Sequence, residues 1–245
     1  MPGGRYDRPG RSESRWHDMS GHLVHVVRGN SSSEAYGNII SILATGTLQA
    51  RNPFGAARTV APEPATQTCV CFSEIPVELI GRVIARRLPP DRSAWHGIAF
   101  TKEFLVAKGG GPIMYAYDGT PQSQALDALM RQALASSDPA GDPVWRLTPF
   151  VDLPGRRGSY YFEWEREWRH VGDLAFAPED VAFLLMPEEF HEAARGFFDE
   201  AYREHTGPAY FCPFLDASWT RERCERELAL GSFTPHFDGA RRELG

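Results

Sequence analysis

The chain has 245 residues, of which 42% are hydrophobic and 24% are charged, and its formal net charge is -6. This length is enough for one elaborated domain with a sizeable core. The acidic balance argues against a general nucleic-acid coat, because such binding comes mainly from neutralised phosphates. No stretch reaches the ~18 consecutive apolar residues of a membrane helix, and the N-terminus lacks the apolar segment of a secretion signal. We therefore expect a cytoplasmic protein with no membrane partner.

The cysteines are expected to be reduced thiols, because no export signal precedes them and a chain of this size needs no disulfide scaffold. Cys69 and Cys71 share one face of a predicted strand. A zinc site needs about four ligands, and no second pair stands near these two in the sequence. Core packing is the better interpretation, and the sequence predicts no metal site.

Domain organisation follows from composition. Residues 1–20 are rich in Gly, Pro, Arg and Ser and carry too few aliphatic side chains to offset the entropy of ordering, which predicts a disordered tail. Residues 21–245 predict a single domain. Within it, an amphipathic helix framed by Gly, Pro and Ser clusters predicts a helical insertion near 119–143, and the C-terminal part carries two further helical patterns.

The domain opens with a strand followed by an amphipathic helix. A β-branched run, GHLVHVVRG, predicts a strand that places Leu23, His25 and Val27 on one face. Apolar residues then recur at helical spacing. Ser33 is the predicted N-cap of this helix, and Gly46 is its predicted left-handed stop.

The middle of the chain alternates predicted strands and helices. Residues 52–66 carry three prolines and no clear period, which predicts a functional lid or a disordered connection. Strands are predicted at TCVCFSE, WHGIAF, PIMYAYD and DVAFLLMP, and helices at PVELIGRVIARRL and KEFLVAK.

The run SYYFEWEREWRHV alternates charged and aromatic residues, which predicts one continuous strand. Side chains alternate along a strand, so two faces are expected. One face carries the aromatic set Phe162, Trp164, Arg166 and Trp168, with both tryptophans as core anchors. The other carries the acidic set Glu163, Glu165, Glu167 and Arg169. Neighbouring carboxylates repel one another, so this second face predicts either a functional site or a solvated face with arginine counterions.

Short motifs follow one another over roughly residues 22–190 in the order LVHVVRG, NIISILATG, CVCFSEIP, HGIAFTKEFL, GGGPIMYAY and FEWEREWRHVG. This string resembles the AbiGi-type abortive phage-resistance family. Its ground plan is also similar to DarT-like enzymes and the wider ADP-ribosyltransferase superfamily. The resemblance implies an α+β fold, the ADP-ribosyltransferase-like split β-sandwich with peripheral helices. It implies a transferase that uses NAD as substrate, in phage defence or a toxin–antitoxin system.

The resemblance also implies site residues. His25 would match the first-strand His that binds the NAD ribose, and Arg28 would be the alternative first-strand residue. Asn38 would match the Asn of the following helix, and Ser73 the Ser that orients the catalytic carboxylate. The superfamily's His-x-Thr pattern is His-x-Val here, and its mid-chain Tyr has no clear counterpart in the sequence. NAD binding is thus expected at His25, Arg28, Asn38 and Ser73.

Glu165 and Glu167 would match the superfamily's Glu-x-Glu pair and are the expected catalytic residues. Cleavage of the nicotinamide–ribose bond passes through an oxocarbenium-like state that a carboxylate stabilises, which suits Glu167. Glu165 would orient or deprotonate the acceptor, a nucleic acid or a protein. The pyrophosphate needs fork-shaped donors, for which the candidates are Arg28, Arg51 and Arg58.

Two alternatives stay open on the sequence. One is a catalytically inactive, antitoxin-like regulator that keeps the fold and binds a partner protein, such as a cognate toxin. The other is a magnesium-dependent nuclease that would use Glu74, Asp152 and the carboxylates of 163–167, since carboxylates at close quarters suit hard cations.

Overall fold

The structure is a computed structural model that describes residues 20–81, 96–156 and 163–231. Almost all of the predicted disordered tail, and Phe162 of the predicted aromatic face, lie outside the described residues. None of the described helices is both long and apolar enough to cross a membrane.

The described residues form short strands and helices that alternate along the chain. The strands are β1 (His22–Val27), β2 (Thr47–Leu48), β3 (Asn52–Pro53), β4 (Thr68–Ser73), β5 (His96–Thr101), β6 (Gly111–Pro112), β7 (Met114–Tyr115), β8 (Val151–Asp152), β9 (Glu167–Val171), β10 (Leu174–Ala175), β11 (Val181–Leu185) and β12 (Phe214–Leu215). The helices are α1 (Ser32–Thr45), α2 (described over 77–81), α3 (Lys102–Ala107), α4 (Pro121–Leu134), α5 (Val144–Leu147), α6 (His191–Glu204) and α7 (Arg221–Gly231).

The predicted first unit, a strand followed by an amphipathic helix, is confirmed. The cap, however, is Ser31 and not Ser33: Ser31 has an extended backbone, and its side chain accepts a hydrogen bond from the Glu34 amide. Gly46 ends the helix at φ 60°, as predicted, and its N–H donates to the Ile42 carbonyl.

The main sheet has the strand order β12-β11-β5-β1-β4-β9-β6, and β3 pairs with β4 outside this path. Its pairs are antiparallel except for the parallel pair of β11 with β12. The fold is therefore α+β, as predicted. The segment PIMYAYD does not form one strand, because β6 pairs with β9 whereas β7 pairs in parallel with β8 in a separate small sheet.

Each face of the main sheet packs against different helices. On the α1 face, Leu23, Phe72 and Trp168 share a buried cluster with Ile39 and Leu43 of α1. On the opposite face, which we call the α7 face, a second cluster joins strand residues to residues of α2 and α7: Val24, Ala99, Leu185, Val77, Ile80 and Cys224. Side chains that alternate along β1, β4 and β9 are thus separated onto the α1 face and the α7 face.

The prediction of one continuous acidic strand is wrong. Residues Glu163–Glu165 form a 3-10 turn, Arg166 has φ 46°, and the strand begins only at Glu167. A residue in the left-handed region reverses the local chain direction, so the alternation of faces cannot run through it. Trp168 is buried as predicted, but Trp164 is 37% exposed and is no core anchor.

Residues 52–66 are packed against the domain and are not a free connection. They contain β3 and a turn at Gly55, where φ is 82°. A Cβ atom at Gly55 would lie 2.0 Å from the Thr148 carbonyl oxygen, so the backbone approaches α5 and the following turn closely.

Candidate active site

The main sheet opens between β1 and β4. All six residues of β1 pair with β5, whereas β1 pairs with β4 at one position, Val24 with Ser73. Beyond that pair, the ring of His25 takes the place of ladder hydrogen bonds, with Nδ1 2.9 Å from the Cys71 carbonyl oxygen. The opening is therefore bridged by a predicted site residue.

His25 lies on the α1 face, where its ring packs edge-on against Phe72 at a centroid distance of 5.8 Å. Burial is the largest cause of a lowered pKa for His25, the Cys71 carbonyl opposes it, and the positive charges of Arg28 and Arg51 lower it further. The neutral imidazole is favoured, and the two arginines lie within electrostatic reach of it.

Asn38 and Arg28 meet at the turn between β1 and α1. The Asn38 amide donates from Nδ2 to the Arg28 carbonyl oxygen at 2.8 Å. Both side chains are exposed. Asn38 thus fixes the backbone that carries Arg28, while the Arg28 side chain remains exposed.

Ser73 lies on the α7 face and fixes the turn that precedes Glu167. Its hydroxyl donates to the Glu165 carbonyl oxygen at 3.0 Å, and Ser73 is paired in register with Glu167 across β4 and β9. Glu165 itself is 5% exposed. The structure therefore brings Ser73, Glu165 and Glu167 together.

Glu167 is held by a buried arginine on its own strand. Arg169 Nε lies 2.8 Å from Glu167 Oε1 and Nη2 lies 3.2 Å from Oε2, a two-point contact. The same guanidinium reaches Asp152 Oδ2 at 3.1 Å and the Pro149 carbonyl oxygen at 2.7 Å. Its centre lies 5.0 Å from the Phe54 ring centroid. Burial alone would lower the pKa of Arg169, but the charges of Glu167 and Asp152 raise it, so the group stays cationic.

Cys71 and Tyr115 complete the surroundings of Glu167. The Cys71 thiol hydrogen-bonds Glu167, and burial followed by the Glu167 charge raises the pKa of Cys71 well above its ordinary value. Burial and then Glu167 also raise the pKa of Tyr115. Both groups therefore remain protonated beside the carboxylate.

Cys71 separates two predicted site residues. Its carbonyl oxygen contacts His25 on the α1 face, and its side chain contacts Glu167 on the α7 face. Ser73 and Glu167 are thus neighbours on the α7 face, whereas His25 lies on the α1 face of the sheet.

Sequence reasoning did not assign Cys71 or Tyr115 to the surroundings of Glu167. It grouped Asp152 with the 163–167 carboxylates only in the nuclease alternative, and it treated Arg169 only as a counterion. The spacing Glu167-x-Arg169 and Cys69-x-Cys71 did indicate shared faces. The pairing of Cys71 with Arg169 that unites these faces is a tertiary contact.

The carboxylates of the magnesium hypothesis are engaged by different side chains of the protein. Glu74 accepts hydrogen bonds from Trp168 Nε1 at 2.8 Å and from Lys102 Nζ at 2.6 Å. Asp152 instead contacts Arg169. Across the three described ranges, no group of three or more His, Cys, Asp or Glu side chains is arranged to hold a metal ion. The geometry does not favour the nuclease.

Comparisons with known proteins found structural likeness only. No family model matches the chain, so the resemblance to the AbiGi-type family stays a prediction, and no curated protein matches it significantly. Among solved structures, it is similar to DarT of Thermus sp. 2.9 in complex with NAD+, at 11% identity over 81% of this chain and 96% of that chain, with a TM-score of 0.40. It is also similar to the same protein in complex with ADP-ribosylated ssDNA, at 13% identity over 78% and 93% of the two chains, with a TM-score of 0.38.

Proposed function

We propose that this protein is an NAD-dependent ADP-ribosyltransferase built on a split β-sandwich. The observation that carries the proposal is the opening between β1 and β4, where the half-buried His25 contacts the Cys71 carbonyl oxygen and the charges of Arg28 and Arg51 lower its pKa. The Ser73, Glu165 and Glu167 group lies across β4 from it. Donors for a pyrophosphate and carboxylates for a ribosyl cation are thus grouped around one strand.

The proposed reaction uses these groups in separate roles. Arg28 and Arg51 would bind the pyrophosphate of NAD, and neutral His25 would hydrogen-bond one ribose on the α1 face. The nicotinamide ribose would then pass through the opening between β1 and β4 to Glu167 on the α7 face. The bond between ribose C1′ and the nicotinamide nitrogen breaks, and its electron pair leaves with neutral nicotinamide. Glu167 stabilises the resulting positive charge, the acceptor's lone pair forms the new bond to C1′, and Glu165 takes the acceptor proton.

Single-stranded nucleic acid is the acceptor to test first, with protein as the second. Trp164, next to Glu165, is 37% exposed, and Tyr117, which hydrogen-bonds Glu163, is 45% exposed. Exposed aromatic rings stack on unpaired bases with little regard to sequence. A role in phage defence or with a cognate toxin or antitoxin partner belongs to the same proposal.

One observation favours the second candidate, an inactive regulator that keeps the fold and binds a partner protein. Both oxygens of Glu167 are engaged by Arg169, which offsets the negative charge that the reaction needs. In an active enzyme this ion pair must loosen or shift when NAD binds. In a silent regulator it is simply a structural ion pair.

A binding and turnover experiment separates the two candidates. A ligand that binds only the native state raises its melting temperature, so NAD should stabilise the wild-type chain. Nicotinamide release should then be measured with single-stranded DNA or a protein mixture as acceptor. Glu167→Gln should abolish most of this release, and Glu192→Gln, an exposed change on α6, is the matched control for loss of one carboxylate. Stabilisation with release supports the transferase. No stabilisation by NAD and no release of nicotinamide support the inactive regulator.

A further inference from the structure

A cleft of about 450 Å³ lies at the opposite end of β9 from Glu167. Its walls come from the Lys108–Gly109 turn after α3, from α5 with the loop before it, and from the end of β9 at His170 and Val171. Val171 stands four residues beyond Glu167, roughly 13 Å along the strand at about 3.3 Å per residue. The cleft is therefore a site separate from the carboxylate group, and its volume suits a small ligand.

The floor of the cleft is held in place by buried hydrogen bonds. Trp145 donates from Nε1 to the Pro139 carbonyl oxygen at 2.6 Å. The Trp145 carbonyl oxygen accepts from the side chain of fully buried Gln67 at 3.1 Å, and Thr148 donates to Gln67 Oε1 at 2.9 Å. The segment that carries Trp145 and Arg146 is thus anchored to the strand side of the domain, and the cleft is largely preformed.

The charged residues that line the cleft are two cations and one carboxylate, Lys108, Arg146 and Asp142. Lys108 and Arg146 both line it, and neither makes an ion pair with a carboxylate anywhere in the described part of the chain. His170 contacts the Lys108 carbonyl oxygen through Nε2 at 3.1 Å and the Gly172 carbonyl oxygen through Nδ1 at 3.1 Å, which fixes the Lys108 turn against β9. The Lys108 ammonium lies 5.4 Å from the centroid of the Phe104 ring, a contact that it would exchange for a phosphate. Arg146 and a Lys108 side chain turned toward the cleft are suited to a phosphate dianion.

The remaining lining suits the rest of a nucleotide. Phe150 and Val171, both partly exposed, give the cleft an apolar wall against which a planar base can lie, and the buried Trp145 supports it from below. Asp142 also lines the cleft, and a carboxylate accepts hydrogen bonds from ribose hydroxyls. We propose that this cleft binds a nucleoside monophosphate, with Lys108 and Arg146 on the phosphate.

Isothermal titration with AMP and GMP tests this on the full chain, with adenosine and inorganic phosphate as the partial ligands. We expect AMP or GMP to bind at least tenfold more tightly than either part, because phosphate and base contacts act together. Lys108→Gln and Arg146→Gln should each weaken binding by roughly tenfold, the effect of losing one charge-assisted contact. The Lys108→Arg variant should retain most of the wild-type affinity for the nucleotide.

Arg131→Gln, an exposed change on α4 outside the cleft, is the matched control for the loss of one positive charge and should leave the affinity unchanged. No binding of either nucleotide at millimolar concentration, or equal affinity in the Arg146→Gln variant, overturns the proposal. NAD-dependent nicotinamide release is read separately. If the wild-type chain binds AMP or GMP but releases no nicotinamide from NAD, only the transferase proposal is contradicted. If it releases nicotinamide but binds neither nucleotide, only the nucleotide cleft is contradicted.

Discussion

Arg169 holds both carboxylate oxygens of Glu167, two residues earlier on the same strand, at 2.8 and 3.2 Å. The two side chains share a face because side chains alternate along β9. The guanidinium is 1% exposed, so this is a buried contact and not a surface pair. Whether Glu167 can stabilise a positive charge on a substrate therefore depends on whether Arg169 keeps this contact.

Glu167→Gln and Glu165→Gln should have unequal effects if the chain transfers ADP-ribose. Glu167→Gln keeps shape but removes the charge opposite the oxocarbenium, so nicotinamide release and acceptor labelling should both fall by ~10²–10³. Glu165→Gln should spare release and mainly reduce labelling, because it acts on the acceptor. Assays of free nicotinamide and of labelled acceptor on both variants test this difference. Equal losses would indicate common folding damage, and full activity in Glu167→Gln would remove its catalytic role.

Arg169→Met should strongly destabilise the protein. It leaves the carboxylates of Glu167 and Asp152, which are 13% and 19% exposed, without their cation, a change that costs about 3–5 kcal/mol for a buried pair. The matched control is Arg156→Met, whose contacts with Asp118 and Asp127 are more exposed and should contribute at most about 1 kcal/mol. Urea unfolding measures both. Equal losses would show that the Arg169 network is energetically an ordinary surface cluster.

Stability should fall as the pH falls below about 6.5, in part through His25. Burial lowers the folded-state pKa of His25 from its ordinary 6.5, so the unfolded chain binds the proton more tightly. The stabilising difference is complete above pH 6.5 and is lost as the pH falls toward the folded-state pKa. Burial also lowers the pKa of His22, so His22 contributes to the same pH dependence.

His25→Gln should therefore flatten the dependence of unfolding free energy on pH below 6.5. His205→Asn is the control, because His205 is exposed and its left-handed backbone, at φ 53°, tolerates Asn. Denaturant titrations at several pH values give the slopes. A wild-type slope in His25→Gln would contradict the assignment.

Gly55→Ala should cost more than Gly119→Ala. Both glycines have a left-handed backbone, at φ 82° and 79°, so both variants bear a strain of about 1–2 kcal/mol. Only at Gly55 would the new Cβ also meet a backbone atom, the Thr148 carbonyl oxygen at 2.0 Å, whereas Gly119 has open space. Thermal unfolding of the pair measures the difference. Similar melting temperatures would show that the 52–66 segment is not packed against α5.

Local patterns predicted much of the secondary structure. The β-branched run gave β1, helical spacing gave α1, and Gly46 ended it, since each of these depends on neighbours in the chain. The cap shifted by two residues to Ser31 because several hydroxyls in a row can each serve as a cap.

The acidic run shows where local pattern fails. Its alternation reads as a strand, but Ser73 holds the Glu165 carbonyl and the Glu74 amide donates to the Arg166 carbonyl at 3.3 Å. These contacts come from Ser73 at the end of β4 and from Glu74 directly after it, some ninety residues earlier, and they hold the left-handed turn at Arg166. No pattern within the run encodes them.

Alternation and helical period predicted β1, β4 and α1 from the sequence, because both are local properties of the chain. The resemblance to a known family, and not a local pattern, suggested the α+β class and the candidate residues His25, Ser73 and Glu167. Only the tertiary structure decided which of these residues meet. The register of β4 against β9 places Ser73 beside Glu167, and the single contact of β1 with β4 leaves His25 on the other face. Register depends on how distant strands bury their apolar sides together, which is a property of the whole sheet.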